Sequence, residues 1–211
     1  MSRVRITAVL CAAAGLLWRA GAVPVSAAID TASLEEAWPK EKTSALEVGK
    51  YPIQWRQSVT KEQGIRISAR FTAPLPMDRT SRQIADYTAL KSMVPGVTTV
   101  RRTEESAGRQ VVEMDAKVLW KTLRLAFEVE PTPPDLTRFH LLNERLGDYR
   151  GLCRLRDAGQ GRTDVEMITA LKPTIHLPMS LRLLAERRMF LTGIRNFLDT
   201  CDHDAAAAAR P

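Results

Sequence analysis

The spacing of apolar positions along this chain changes three times. From Gly64 to Ala73, GIRISARFTA, apolar and polar residues alternate: Ile65, Ile67, Ala69 and Phe71 share one face, Arg66, Ser68 and Arg70 the other. That period of two predicts a β-strand with one buried face, ended by Pro74 and Pro76. Residues 78–93 then take a helical period, with Ile84, Tyr87, Ala89, Leu90 and Met93 in one stripe and Pro95-Gly96 as the closing turn. They read as two short helices. Six strand-like segments follow, at 97–104, 110–120, 121–130, 136–144, 148–156 and 162–171. Turn signals separate most of them: Ser106-Ala107-Gly108, PTPP at 131–134, and Gly147, Gly159 and Gly161. The last change, over 178–200, predicts a long amphipathic helix. Leu183, Leu184, Met189, Phe190, Leu191, Ile194, Phe197 and Leu198 recur among Arg182, Glu186, Arg187, Arg188, Arg195 and Asp199.

This order excludes two fold classes. A doubly wound α/β chain alternates strands and helices, and the six middle strands leave no room for crossover helices, so they pair as antiparallel neighbours. A pure β-sandwich leaves the apolar stripe of the last helix uncovered. The remaining class is α+β, a curved antiparallel sheet around one long C-terminal helix, with two short helices after the first main strand.

Upstream, 28–58 reads as a lead-in segment that wraps the domain, and Tyr51–Ser58 within it as a strand or extended arm. Residues 1–27 carry Arg3 and Arg5, an apolar run from Ile6 to Leu17, and the small residues Val25-Ser26-Ala27. That is the pattern of a secretory signal peptide, with a run shorter than the ~20 residues of a membrane span. The main domain is expected over 59–203, and a disordered tail over 204–211. The chain is expected to be exported, periplasmic or secreted.

Charge alters the picture little. The formal net charge is +7, and losing Arg3, Arg5 and Arg19 with the leader brings it to about +4. Arginine doublets at 101–102 and 187–188 have acids nearby. Nucleic acid is not an expected partner. Cys153 and Cys201 are the cysteines outside the leader; an oxidising compartment allows one disulfide between them, the other reading being two free thiols. His140, His176 and His203 are scattered, with no CxxC or HExxH, so no metal and no cofactor are expected.

Certain segments resemble a known superfamily when taken in order. They are GIRISARFTAP (64–74), IADYTALKSMVPGV (84–97), VEMDAKVLW (112–120), KTLRLAFEVE (121–130), GDYRGLCRLRD (147–157) and GRTDVEMITALKP (161–173). The chain resembles the helix-grip proteins, which are START-related, polyketide cyclase/dehydrase-like and coenzyme-Q-binding-protein-like, as an exported member. In that pattern Ala85-Asp86-Tyr87 and Met93-Val94-Pro95-Gly96-Val97 close the paired helices. The resemblance implies a sheet of about seven strands gripping the C-terminal helix, with an apolar cavity between them. The segment before Gly64 and the leader are additions to it.

Candidate chemistry follows from the arrangement. Phe71, Tyr87, Met93, Trp120, Leu125, Phe127, Phe139, Leu152, Met167, Met189 and Phe190 are candidates to line a cavity or to fill a core. On the central strands Glu113, Asp115 and Lys117 alternate with Val112, Met114 and Ala116, so the charges belong on the solvent face. Arg124, Arg150 and His176 are candidate polar contacts if any turns inward. No nucleophile–base–orienter set is legible, so no catalytic residue is assigned and the balance leans away from an enzyme. The first expectation is an exported, non-enzymatic binding or carrier protein for a lipid, isoprenoid or other apolar small molecule. Transient contact with a membrane or an envelope protein would accompany that role. Two alternatives stand beside it: a cyclase/aromatase-like enzyme using the same cavity, and an envelope interaction domain with a filled core and an exposed apolar patch.

Overall fold

A computed structural model describes Leu34 and residues 43–60, 64–104, 109–118, 121–130, 133–143, 147–173 and 179–208. Among these residues nine strands form one antiparallel sheet in the order β1-β2-β3-β9-β8-β7-β6-β5-β4. They are β1 (Ser44–Val48), β2 (Tyr51–Thr60), β3 (Gly64–Ala73), β4 (Val97–Glu104), β5 (Gln110–Val118), β6 (Lys121–Val129), β7 (Leu136–Leu141), β8 (Gly147–Gly159) and β9 (Arg162–Pro173). Between β3 and β4 lie α1 (Met77–Ala85), a 3-10 turn at Tyr87–Ala89, and α2 (Leu90–Met93). The long helix α3 spans Met179–Ala208. The leader lies outside the described residues, as do Trp120 and His176. No described helix is long and apolar enough to cross a membrane.

Register separates two faces of the sheet. The β3 positions Ile65, Ile67, Ala69 and Phe71 pair with Leu171, Thr169, Met167 and Val165 of β9, and these continue into Tyr149, Gly151, Cys153 and Leu155 of β8. This concave face takes the helix. The principal core joins it to Ile194, Phe197, Leu198 and Cys201 of α3. Phe71 and Phe197 meet edge to face, with ring centroids 6.1 Å apart. The core side of α3 runs through Glu186, Phe190, Ile194, Phe197 and Cys201, steps of three and four that keep one face of a helix toward the sheet.

Two strands exceed the expected seven, and both come from the lead-in segment. The β1–β2 hairpin pairs with β3 and extends the sheet past its first main strand. Its Tyr51, Ile53 and Trp55 are buried in the principal core, and Trp55 meets Phe190 edge to face at 5.8 Å. Tyr-Pro-Ile-Gln-Trp therefore belongs to the domain, because its odd positions carry a period-two apolar face.

The hairpin is also latched to the far end of α3. The Tyr51 hydroxyl donates between Asp199 Oδ1 at 2.9 Å and Asp202 Oδ2 at 2.8 Å, and Lys50 pairs with Asp202. Gln83 of α1 donates to Asp204. These contacts, with the helix propensity of alanine, carry α3 through Ala208, where the sequence suggested a disordered tail from 204. Burial pushes the Asp202 carboxyl up, but the hydrogen bonds from Lys50 and Tyr51 and the Lys50 charge outweigh it, so its pKa lies below the usual value. A depressed folded pKa stabilises above the unfolded value of about 3.9 and is lost as pH falls through the folded one. Asp202→Asn is therefore expected to lower Tm at pH 7, and the gap to the parent protein should close as pH drops below about 4. Thermal melts across that range check it, and a gap that persists at the lowest pH would contradict the latch.

Cys153 and Cys201 are both buried, free thiols, not the disulfide that export allowed. Burial, with Glu166 acting on Cys153 and Asp204 and Asp202 on Cys201, pushes each thiol up to about 12, away from the reactive thiolate.

The convex face is not simply wet. Leu34 is fully buried in a second cluster with Leu152, Ile168 and Ala170, with Leu136 packed alongside. The Arg66 side chain, 3% exposed, donates to the Leu34 carbonyl. Elsewhere this face carries ion pairs, among them Arg154 with Glu166 and Arg109 with Glu128, each at 3.3 Å.

Candidate functional site

Register also assigns the concave face of the other half of the sheet. Val112, Met114 and Ala116 of β5 stand opposite Phe127, Leu125 and Leu123 of β6. Phe127 pairs with Leu141 and Val129 with Phe139 of β7, and Phe139 with Gly151 of β8. Most of these side chains are apolar. Val112, Leu123, Phe127, Val129 and Leu141 are buried on this surface, whereas Met114, Leu125 and Phe139 are half-buried, and among the described residues neither packed cluster draws a member from β4, β5 or β6. The end of α3 that carries Ile194 to Cys201 fills the space over β3, β8 and β9; the apolar concave surface continues past it.

Three aromatic rings mark the boundary between the two halves. Phe127, Phe139 and Tyr149 meet one another edge to face, with centroid separations of 6.0, 5.7 and 6.0 Å. Gly151 makes this possible. A Cβ at that position would sit 2.4 Å from the far edge of the Phe139 ring, closer than any real contact, so the ring occupies this place over β8 because residue 151 has no side chain.

Polar groups interrupt the apolar surface at two places. Tyr149 is diagonal to Thr169 across the β8–β9 pair, and the Thr169 hydroxyl and the Glu186 charge both act on its phenol. Burial first, and the Glu186 carboxylate second, push the phenol far above its ordinary value, with Thr169 opposing. Thr169 and Glu186 are 3% and 5% exposed, and Tyr149 beside them is half-buried. Four residues along β8, about 13 Å away at ~3.3 Å per residue, Tyr87 approaches Cys153 and Arg102. Burial raises the Tyr87 phenol, the Arg102 charge lowers it, and Cys153 adds to the rise. Arg102 has the concave register of β4, opposite Val112, and is exposed at the rim.

The candidates named from sequence divide between these regions. Leu125, Phe127 and Phe139 lie on the concave surface beyond the principal core, and Tyr87 on its rim. Phe71 and Met93 are buried in that core, with Met167 and Phe190 packed against it. Leu152 is on the convex face with Leu34, because its parity along β8 is opposite to that of Tyr149 and Cys153. Met189 is 36% exposed, on the side of α3 away from the sheet. Arg124 and Arg150 also have convex registers and carry ion pairs there. Arg124 Nε lies 3.4 Å from Asp115 Oδ1, and Arg150 pairs with Asp148. Neither reaches the concave surface.

Tyr149, Thr169 and Glu186 were not singled out from sequence, although a signal existed. Glu186 stands in the core-facing stripe of α3, three residues after Leu183 and four before Phe190. A carboxylate in an apolar stripe is the kind of exception that marks a site.

Set against known proteins, the chain matches no protein-family model and no curated protein. Solved structures do align. Zhui aromatase/cyclase from Streptomyces sp. R1128 aligns with a TM-score of 0.60 at 17% identity, over 69% of this chain and 98% of that one. The STAR-related lipid transfer protein of Xanthomonas axonopodis, fragment 25–204, gives 0.58 at 12% identity, over 75% and 97%. A START superfamily protein from Mycobacterium smegmatis gives 0.54 at 10% identity, over 64% and 97%. The chain therefore has the helix-grip fold, which is shared by a protein named as a lipid transfer protein and one named as an aromatase/cyclase.

Proposed function

We propose that this chain binds a small molecule, apolar over most of its surface, between the concave face of β5–β8 and the N-terminal half of α3. The observation that carries the reading is the apolar surface of Met114, Leu125, Phe127 and Phe139. It faces the helix side of the sheet but lies outside the packed clusters. Ligand sites are mostly apolar, with a few convergent polar groups, and Tyr149, Thr169 and Glu186 supply such a group. The helix-grip fold of lipid-transfer and aromatase/cyclase proteins supports the same use. Native mass spectrometry of the full chain from its own source tests it: a bound molecule released by organic solvent is expected, and a ligand-free protein that also takes up no apolar probe would remove the proposal.

A cyclase-like use of this site is favoured over passive carriage by the polar cluster. A surface of hydrocarbon alone offers no proton donor or acceptor, whereas Tyr149 and Glu186 place both kinds of group on the concave side. A carrier returns its molecule unaltered. An aldol-type ring closure joins a methylene carbon to a carbonyl carbon and, on dehydration, sheds water. Incubating poly-ketone chains with the protein and comparing the product with a protein-free control by mass and chromatographic retention separates the two: a cyclised product, whether isomeric with the chain or lighter by water, supports the cyclase, and an unaltered chain the carrier. The filled envelope-interaction domain draws less support. Its apolar lead-in residues, Leu34, Tyr51, Ile53 and Trp55, are buried, and the large apolar side chains left exposed among the described residues are Val59, Leu184 and Met189, on two different elements.

Export is proposed on the sequence of residues 1–27, with Arg3 and Arg5 before the apolar run Ile6–Leu17.

A further inference from the structure

The two halves of α3 are held differently. In the C-terminal half Ile194, Phe197, Leu198 and Cys201 are buried in the principal core. Polar ties bind the same stretch to its neighbours. Asn196 Nδ2 donates to the Met93 carbonyl at 2.8 Å and to the Ser92 carbonyl at 3.3 Å, and Gln83 donates to Asp204. The β1–β2 hairpin brings Tyr51 to Asp199 and Asp202, and Lys50 to Asp202. Before Gly193 the packing thins. Of the side chains described over 183–192, only Glu186 is buried; Leu183, Phe190 and Leu191 are half-buried, and Met189 and Leu184 are exposed, Leu184 by 63%. Gly193 stands at the junction. A Cβ there would meet only the Met93 carbonyl oxygen, at 4.0 Å, an ordinary contact. Alanine fits that space and is the better residue for a helix interior, so packing does not account for the glycine.

We infer that α3 is a hinged flap: the core and the β1–β2 hairpin clamp residues 194–204, and residues 179–192 pivot at Gly193 between a closed position, with Phe190 seated edge to face on Trp55, and an open one. A hinge is a few residues that absorb a change of φ and ψ, and glycine has the widest choice of both. Opening at Gly193 costs the partial packing of 183–192 and the helix hydrogen bonds that cross the pivot. Lifting the C-terminal half would instead break the Phe71–Phe197 pair and the ties to Tyr51, Met93 and Gln83 together. The hairpin therefore does more than lengthen the sheet. Through Tyr51 and Lys50 it fixes the far side of the pivot, and through Trp55 it sets the closed position. The pivot stands without a ligand, and the route it opens, into the space between α3 and β5–β8, rests on the proposed binding function.

Hydrogen exchange of the full chain without ligand, read by mass spectrometry, tests the pivot. Residues 183–192 lie past the first helical turn, so each amide has a helix partner in the closed position. They are expected to exchange about tenfold or more faster than those of 194–204. Gly193→Ala should slow exchange over 183–192 by about threefold or more, the scale of alanine's helix preference over glycine, and leave 194–204 unchanged. Tyr51→Phe keeps the ring and removes the hydroxyl, and should speed exchange over 194–204 by about threefold or more. Circular dichroism confirms that each variant is folded, and the contrast within the parent chain needs neither. Even protection along the helix in the parent, or a Gly193→Ala effect shared equally by the two stretches, overturns the hinge. Stopped-flow fluorescence of the apolar probe N-phenyl-1-naphthylamine tests the route. Gly193→Ala should slow uptake and release alike, by about threefold, with affinity unchanged. Unaltered rates overturn the route. A probe that fails to bind overturns the route together with the binding function, and the pivot is then judged on exchange alone.

Discussion

Replacing Phe197 with alanine is expected to lower stability by about 3–5 kcal/mol, the usual cost of removing a buried aromatic side chain. Phe197 is 8% exposed, on the stripe of α3 that includes Ile194, Leu198 and Cys201. Its ring meets Phe71 of β3 at 6.1 Å and 67°, so truncation removes buried area and an edge-to-face pair together. The residues around it come from a sheet and a helix already fixed by many other contacts, and the space would collapse only in part. Urea unfolding checks the value: the midpoint should fall with little change in slope. Met189→Ala is the control on the same helix. Met189 is on the exposed side, and its loss should move stability by no more than about 0.5 kcal/mol. Equal effects at the two positions would mean that α3 is not held by the sheet through this stripe.

That contrast also bounds what sequence patterning carried. Both residues sit in the apolar pattern of 178–200, which reports that the segment is a helix. Which apolar residues face the sheet depends on the helix's rotation, set by partners distant in sequence, such as Phe71 and Trp55. The strands behaved similarly. Alternation in GIRISARFTA and VEMDAKV gave the faces of β3 and β5, and the order of short elements gave the α+β class. For GDYRGLCRLRD alternation was a weaker guide, since Leu152 and Cys153 are adjacent, both apolar and both buried, on opposite faces. Placing Leu152 with the cavity candidates assumed a sheet with one apolar side. Of the first hairpin, Tyr51–Ser58 was legible as a strand or extended arm, and β1 was hidden by a different cause: Ser-Ala-Leu-Glu-Val is short and half polar, and only its pairing with β2 makes it a strand. The concave polar cluster was hidden because its three members lie on three elements, and nothing local to any one of them announces the other two.

The second large effect is on the convex side and concerns Leu34. Leu34 and Leu152 are both fully buried, and they share a cluster with Ile168 and Ala170. Without Leu34 an apolar patch of β7, β8 and β9 would lose its cover, and an exposed apolar patch on a sheet face is a liability for association. Arg66 adds a polar tie from β3 to the Leu34 carbonyl, which holds the backbone there while the side chain fills the patch. Leu34→Ala and Leu152→Ala are each expected to cost about 2–5 kcal/mol. Because the two side chains share one cluster, the double variant should cost less than the sum, by about 0.5–3 kcal/mol. Ligand affinity should be unchanged in all three, since this cluster and the concave surface lie on opposite faces of the sheet. Strict additivity would mean that Leu34 does not pack with Leu152. A loss of ligand affinity in Leu152→Ala, with the fold intact, would mean that the convex cluster helps to shape the concave site through the sheet.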